Sequence, residues 1–343
     1  MVLGGLLPDS PLANVAVILV ATGLIWFGSG WLEASAGRLG SYYGLPAVVQ
    51  GSVVVAVGSS FPELSSVVLT ALAGSFDMGV GAIVGSAVFN VLVIPALAGL
   101  TTDDDLEASR TIVYKEAQFY MVAVATVVVT FALAVIYSPA PGTELVGRIT
   151  RPLAMIPLLL YGLYLFIQYQ DVSDYDAGVS DVTNVARAWG KLVVGLVVIL
   201  VAVEALVNGV ESLSATFSIP EFLAGVTIIA AATSLPDTLV SVRSARNGEG
   251  VTSLGNVLGS NTFDLLVAIP VGVLIVGSAP VDFAVAVPML GVLTLATVLL
   301  FTTMRTELSL TTVESYALLA AYVLFVGWVV AETIGLTHVI KTV

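Results

Sequence analysis

The chain contains no cysteine. That absence removes disulfides, thiolate metal centres and cysteine nucleophiles together. Its one histidine, His338, stands five residues from the end, so histidine general bases and histidine zinc clusters have no material to work with. Charge is also scarce, at 10% of residues against about 25% in soluble proteins. The shortage falls on cations: 11 Lys and Arg face 24 Asp and Glu, a net charge of −13. Nucleic acid is excluded as a partner, because its phosphates require a basic face.

Apolar residues fill the space, making up 58% of 343 positions with a mean hydropathy of +1.05. The hydropathy recurs along the whole length, and apolar runs of about 18 or more read as membrane-spanning helices. The pattern predicts ten spans, near 12–33, 44–72, 79–100, 112–137, 148–169, 189–212, 219–245, 251–277, 281–303 and 314–336. The expected fold is therefore an all-α polytopic protein of the cell membrane, with the lipid bilayer as its surroundings. The N-terminal stretch MVLGGLLPDSPLANVAV lacks the basic region of a signal peptide. The acidic segments TTDDDLEASR and QDVSDYDAGVSDVTNVAR have too little apolar content to pack and read as solvated loops.

Orientation follows the distribution of Lys and Arg. Loops after odd-numbered spans hold Arg38, Arg110, Lys115, Arg187, Lys191, Arg243, Arg246 and Arg305, whereas the other loops and the tails hold Arg148, Arg151 and Lys341. This bias puts the odd loops in the cytoplasm and both termini outside.

The strongest internal signal is a repeat. Residues from Leu45 match those from Ile219 at a constant offset of 174, without a gap, for about fifty positions. Pro46 meets Pro220, Gly51 meets Gly225, Ser60 meets Ser234 and Pro62 meets Pro236. Glu63 meets Asp237, Gly85 meets Gly259, Ser86 meets Ser260, Phe89 meets Phe263 and Asn90 meets Asp264. Prolines, glycines, hydroxyls and acids are shared, not merely leucines and valines. Because the copies lie five spans apart, the second enters the membrane from the opposite side. This is an inverted repeat, a plan of secondary transporters that places the substrate site at the midplane between the repeats. The expected organisation is a first five-helix repeat at 1–170 with motif 56–90, an acidic cytoplasmic linker at 171–188, and a second repeat at 189–343 with motif 230–264.

Glu63 and Asp237 stand deep in otherwise apolar spans, VAVGSSFPELSS and IAAATSLPDTLVS. A charge at that depth costs about 2.5–3.5 kcal/mol on insertion scales. No Lys or Arg lies in either motif, so bound cations are the natural compensation. Pro62 and Pro236 remove a donor and free the carbonyls of Gly58 and Ala232, which need partners in a membrane. Ser59, Ser60, Thr233 and Ser234 lie three or four residues before the acids, on the same helix face. GSAVFN and GSNTFD add Ser86 with Asn90 and Ser260 with Asp264, four residues apart, while Gly81, Gly85, Gly255 and Gly259 permit close helix approach. Hydroxyl, carbonyl and carboxylate oxygens are the hard ligands Ca²⁺ takes.

These motifs closely resemble the alpha-repeats of the calcium/cation antiporter superfamily, including its prokaryotic sodium/calcium exchangers. The resemblance implies Na⁺ for Ca²⁺ antiport by alternating access, with no cofactor beyond the transported ions and no enzymatic activity. It implies that Glu63 and Asp237 are a central pair shared by Ca²⁺ and Na⁺, with Ser59, Ser60, Thr233 and Ser234 as neighbouring oxygen ligands. Ser86 and Ser260, with the main-chain carbonyls of Ala56 and Ala230, would complete flanking Na⁺ sites. Asn90 and Asp264 would line the centre, and the first and sixth spans would move past the rest. Asp237 departs from the glutamate of many prokaryotic relatives, and Asp264 also resembles the potassium-dependent branch. The glutamate of the proton-coupled GN-x-x-E pattern is missing from LGNVLGSN. Proton-coupled and potassium-dependent exchange remain alternatives within the superfamily, and a passive cation channel is the alternative outside it.

The remaining polar residues read as peripheral. Glu204, Asn208 and Glu211 form a stripe near the outer end of the sixth span, while Glu33 and Glu332 fall near span ends, at the interface. Trp26, Trp31, Trp189 and Trp328 read as packing or interfacial anchors.

Overall fold

A computed structural model describes residues 10–43, 56–102, 104–143, 145–171 and 184–340. The helices follow in chain order. In the first half they are α1 (Pro11–Tyr42), α2 (Ala56–Ser59), α3 (Phe61–Ala73), α4 (Phe76–Thr101), α5 (Ala117–Tyr137) and α6 (Arg151–Asp171). In the second half they are α7 (Val185–Phe217), α8 (Glu221–Ala224), α9 (Ala230–Thr233), α10 (Leu235–Arg246), α11 (Gly250–Phe263), α12 (Ile269–Val276), α13 (Phe283–Arg305) and α14 (Thr312–Thr333). Wider π turns at Thr111–Glu116, Gly225–Ile229 and Asp264–Ala268 connect several of them. Among the described residues, eight helical segments are long and apolar enough to cross a membrane. The bent pair Glu221–Thr233 and Leu235–Arg246, angled by 46°, makes a ninth. Most of the first half of the expected 44–72 span lies outside the described residues.

The protein is thus a helical, multi-pass membrane protein, with boundaries that correct the sequence reading. α1 continues to Tyr42, nine residues past the expected end, so Glu33 lies inside a helix and not at its margin. α7 starts at Val185, which takes the last residues of the expected 171–188 linker into a span; residues 172–183 are outside the described set. The fold is all-α as expected, and two short antiparallel ladders also tie loops together. Leu106–Glu107 pairs with Ser309–Leu310, and Val146–Thr150 pairs with Ser278–Asp282. Such short pairings satisfy backbone groups where helices end.

α4 is the central post, with most of its residues buried. Its glycines explain how neighbours come so close. A Cβ on Gly81 would strike the Phe222 backbone, and one on Gly85 the Val226 carbonyl. In return, Gly225 lies against the Met78 carbonyl. α1 and α7 form a separate long antiparallel pair at one side. Gly28 and Gly195 face each other across it, and Asn14 Nδ2 donates to Ser212 Oγ at 2.8 Å. At 32 and 33 residues, these helices exceed the roughly 20 residues that cross a bilayer upright.

Candidate ion-binding site

Both motif hairpins break at the same place. Ser60 separates α2 from α3, and Ser234 separates α9 from α10, with Pro62 and Pro236 in the first turn of the helix that follows. Proline fits the start of a helix, where its missing N–H would have no partner anyway. The acid comes next. Glu63 and Asp237 therefore sit in the first turns of helices that begin inside the protein, where helix N-termini favour negative charge. They are 1% and 0% exposed.

Side chains from the two halves interleave there. Ser86 Oγ lies 2.8 Å from Ser234 Oγ and donates to Glu63 Oε1 at 3.5 Å. Ser59 Oγ lies 3.3 Å from Ser260 Oγ, and both hydroxyls stand beside Asp237. Thr233 faces Glu63 from the other half, with its hydroxyl donating to the carbonyls of Ile229 at 3.2 Å and Ala230 at 3.4 Å. Asn90 Nδ2 donates to Asp237 Oδ2 at 3.3 Å and to Asn261 Oδ1 at 3.0 Å. Ser60 approaches Asp264 without closing a hydrogen bond.

The set is rich in acceptors and poor in donors. Ser60 Oγ, Glu63 Oε2, Asn90 Oδ1, Asp237 Oδ1 and both carboxylate oxygens of Asp264 are buried without a hydrogen-bond partner. Leaving a buried charged group unsatisfied is costly. Every described Lys and Arg is exposed except the half-buried Lys115, which pairs with Glu116 at 3.6 Å. Among the described residues, no Lys or Arg neutralises the cluster. Among the described residues, no three acids or histidines form a metal cage by themselves; the available oxygens come from carboxylates, hydroxyls and an amide together.

Ten of the twelve expected site residues thus gather by their side chains. Ala230 lies at the start of α9, where its carbonyl accepts the Ser234 N–H at 3.0 Å. Ala56 opens α2 on the near side of the first break. The outer stripe does not join the centre: Asn208 folds back onto the Glu204 carbonyl at 2.8 Å, and Glu211 faces Ser75. Glu332 anchors the tail by accepting from the Ile340 N–H at 2.7 Å.

Sequence reasoning missed Asn261, which donates to the Ala87 carbonyl and to Tyr120 Oη, both at 3.2 Å. Its presence in GSNTFD, opposite a plain Ala87 in the first copy, was the available signal. It also missed Asn256 beside Asp237 and Glu33. Glu33 lies inside α1, with its side chain packed against Gly58.

The sodium/calcium exchanger protein family matches residues 13–170 and 187–331. Over 261 residues the chain is 26% identical to the uncharacterized membrane protein MJ0091 of Methanocaldococcus jannaschii, covering 76% of this chain and 81% of that protein. Over 278 residues it is 27% identical to the inner membrane protein YrbG of Escherichia coli, covering 77% and 80%. Among solved structures, the sodium-calcium exchanger NCX_Mj soaked with 100 mM Na⁺ and 10 mM Sr²⁺ aligns with a TM-score of 0.62 at 22% identity, over 93% of this chain and 99% of that one. That last likeness is one of fold.

Proposed function

The chain belongs to the sodium/calcium exchanger protein family, and from that membership we propose that it exchanges Na⁺ for Ca²⁺ by alternating access at the cluster around Glu63, Asp237 and Asp264. One observation carries the proposal: six buried oxygens lack partners in a site with three carboxylates and no buried Lys or Arg. Hard cations bound by oxygens would supply the missing partners. Glu63 and Asp237 form the shared central pair, with Ser59, Ser60, Thr233, Ser234, Asn90 and Asp264 around it. Ser86 and Ser260, with the carbonyls of Ala56 and Ala230, serve flanking Na⁺ positions.

The proposed architecture is ten spans in two inverted five-helix repeats, 1–170 and 189–343, joined by the acidic linker. Three structural details support it. The hairpin breaks at Ser60 and Ser234 are 174 residues apart, like the sequence repeat. Asn261 hydrogen-bonds the carbonyl of its own repeat mate, Ala87, across the same interval. The two ladders also exchange under the repeat: one joins the loops after the third and ninth spans, the other those after the fourth and eighth. In this scheme α1 and α7 are the moving pair, and the Lys and Arg bias puts both termini outside.

Charge suggests the coupling. Three Na⁺ neutralise Glu63, Asp237 and Asp264, whereas one Ca²⁺ without a proton leaves one negative charge, so a cycle of three Na⁺ against one Ca²⁺ moves one net charge. Three-for-one electrogenic exchange follows, and a reversal potential showing electroneutral exchange overturns it. Asp264, with both oxygens free, is the residue that favours potassium dependence as the second reading; adding K⁺ to both compartments tests it. The central test is sodium-driven ⁴⁵Ca²⁺ uptake into proteoliposomes with the pH gradient collapsed. The parent takes up calcium, while Glu63→Gln and Asp237→Asn each lose about a hundredfold or more in rate, as expected for removing a buried charge partner. Normal transport by both variants overturns the site.

A further inference from the structure

The carboxylate of Glu33 is left unused by that scheme. Glu33 lies in the second half of α1, and one of its oxygens, Oε1, is buried without a hydrogen-bond partner. Its Cγ is 3.5 Å from the place a Cβ on Gly58 would occupy. Gly58 carries the carbonyl released by Pro62 and directly precedes Ser59. From the other half, the charge of Asp237 acts on Glu33. The side chain therefore packs beside the first broken hairpin, at Gly58.

In front of it opens a cavity of about 390 Å³, bounded by Trp26 and Gly30 of α1 and by Pro236, Leu239 and Arg243 of α10. Arg243 and Arg246 line it from the C-terminal half of α10, both exposed. Neither closes an ion pair with Glu33; among the described residues the one ion pair is Lys115 with Glu116. Exposed guanidinium groups are screened over about 8 Å at physiological salt, whereas a carboxylate against a desolvated helix break is not. The cavity thus lies between α1 and the C-terminal half of α10, with Glu33 in its wall.

We propose that Glu33 is an additional cation site, a waiting position for Ca²⁺ or Na⁺ on the side of α10's C-terminus, built from its carboxylate and the Gly58 carbonyl and carried on α1. An oxygen site of this kind suits a partly hydrated hard cation. Because the carboxylate serves one access route, its loss should be felt from one side of the membrane only. A residue that merely holds the helices together would alter both sides alike.

The inference rests on the exchange reading, and one experiment separates their failures. Full-length protein is assayed in membrane vesicles of both orientations, with half-saturating Ca²⁺ measured at each face. The face is identified by an Asn247→Cys label, in a chain with no other thiol. Glu33→Gln is expected to raise half-saturation about tenfold at the face where Asn247→Cys reacts with an impermeant reagent, leaving the opposite face within about twofold. Glu33→Asp restores most of the loss. An equal shift at both faces, a shift at the opposite face only, or no shift at either overturns the waiting site while leaving exchange intact. A parent that moves no calcium from either face overturns the exchange reading and this inference with it.

Discussion

The two halves of the ion cluster share a backbone plan and differ in charge. Glu63 and Asp237 occupy matching first turns after matching breaks, but their followers differ. Asn90 spends its amide donors on Asp237 and Asn261, while its mate Asp264 has no donor to spend and keeps both oxygens free. The first half thus brings one carboxylate and a clamp; the second brings two carboxylates. Duplication explains the shape of the site, and divergence at 90 and 264 explains its charge.

The largest expected effect tests the shared part. Glu63→Gln and Asp237→Asn should cost sodium-driven uptake equally, within about tenfold of each other; a wider gap would break the equivalence of the halves. Next, Asp264→Asn tests the difference. With one charge gone, uptake should fall about tenfold, and the sodium dependence should become less steep, approaching two ions per cycle. An unchanged Hill slope would detach Asp264 from sodium coupling.

Making the halves alike sharpens the comparison from the other direction. Asn90→Asp adds a fourth buried carboxylate and removes the clamp on Asp237, so the ion-free protein should melt lower, by an amount set by a cost of about 2.5–3.5 kcal/mol. Calcium should restore more stability to this variant than to the parent, because a ligand bound only to the folded state stabilises it. Equal calcium stabilisation in both would show that position 90 does not face the ion. The smallest effects belong to Ser86→Ala and Ser260→Ala, each removing one neutral oxygen worth about 1 kcal/mol. Sodium half-saturation should rise about fivefold in either variant, and a fall in calcium affinity alone would reassign these hydroxyls.

Much of the site was readable because a low-dielectric setting makes every polar residue an exception. An acid, a proline and paired hydroxyls inside an apolar run have few structural excuses, and their recurrence after 174 positions separated Glu63, Ser86 and Asn90 from ordinary span residues. Asn261 escaped because its mate is alanine, so the repeat gave it no weight. Glu33 escaped because periodicity ended the first span at 33, while α1 runs on to Tyr42. The ladders left no mark either, since two to five residues pair with segments more than a hundred positions away.

The amino-acid order alone determined that the chain crosses a bilayer many times, that two hairpins are copies, and that their acids stand in apolar spans with no Lys or Arg in either motif, because hydrophobic length and the cost of buried charge are local properties. Which oxygens end up without partners, which amide clamps Asp237, and that a carboxylate on α1 reaches the break beside Gly58 were decided only when the helices packed. Those outcomes depend on distances between residues far apart in the chain, which only the close approach of glycine-lined helices sets.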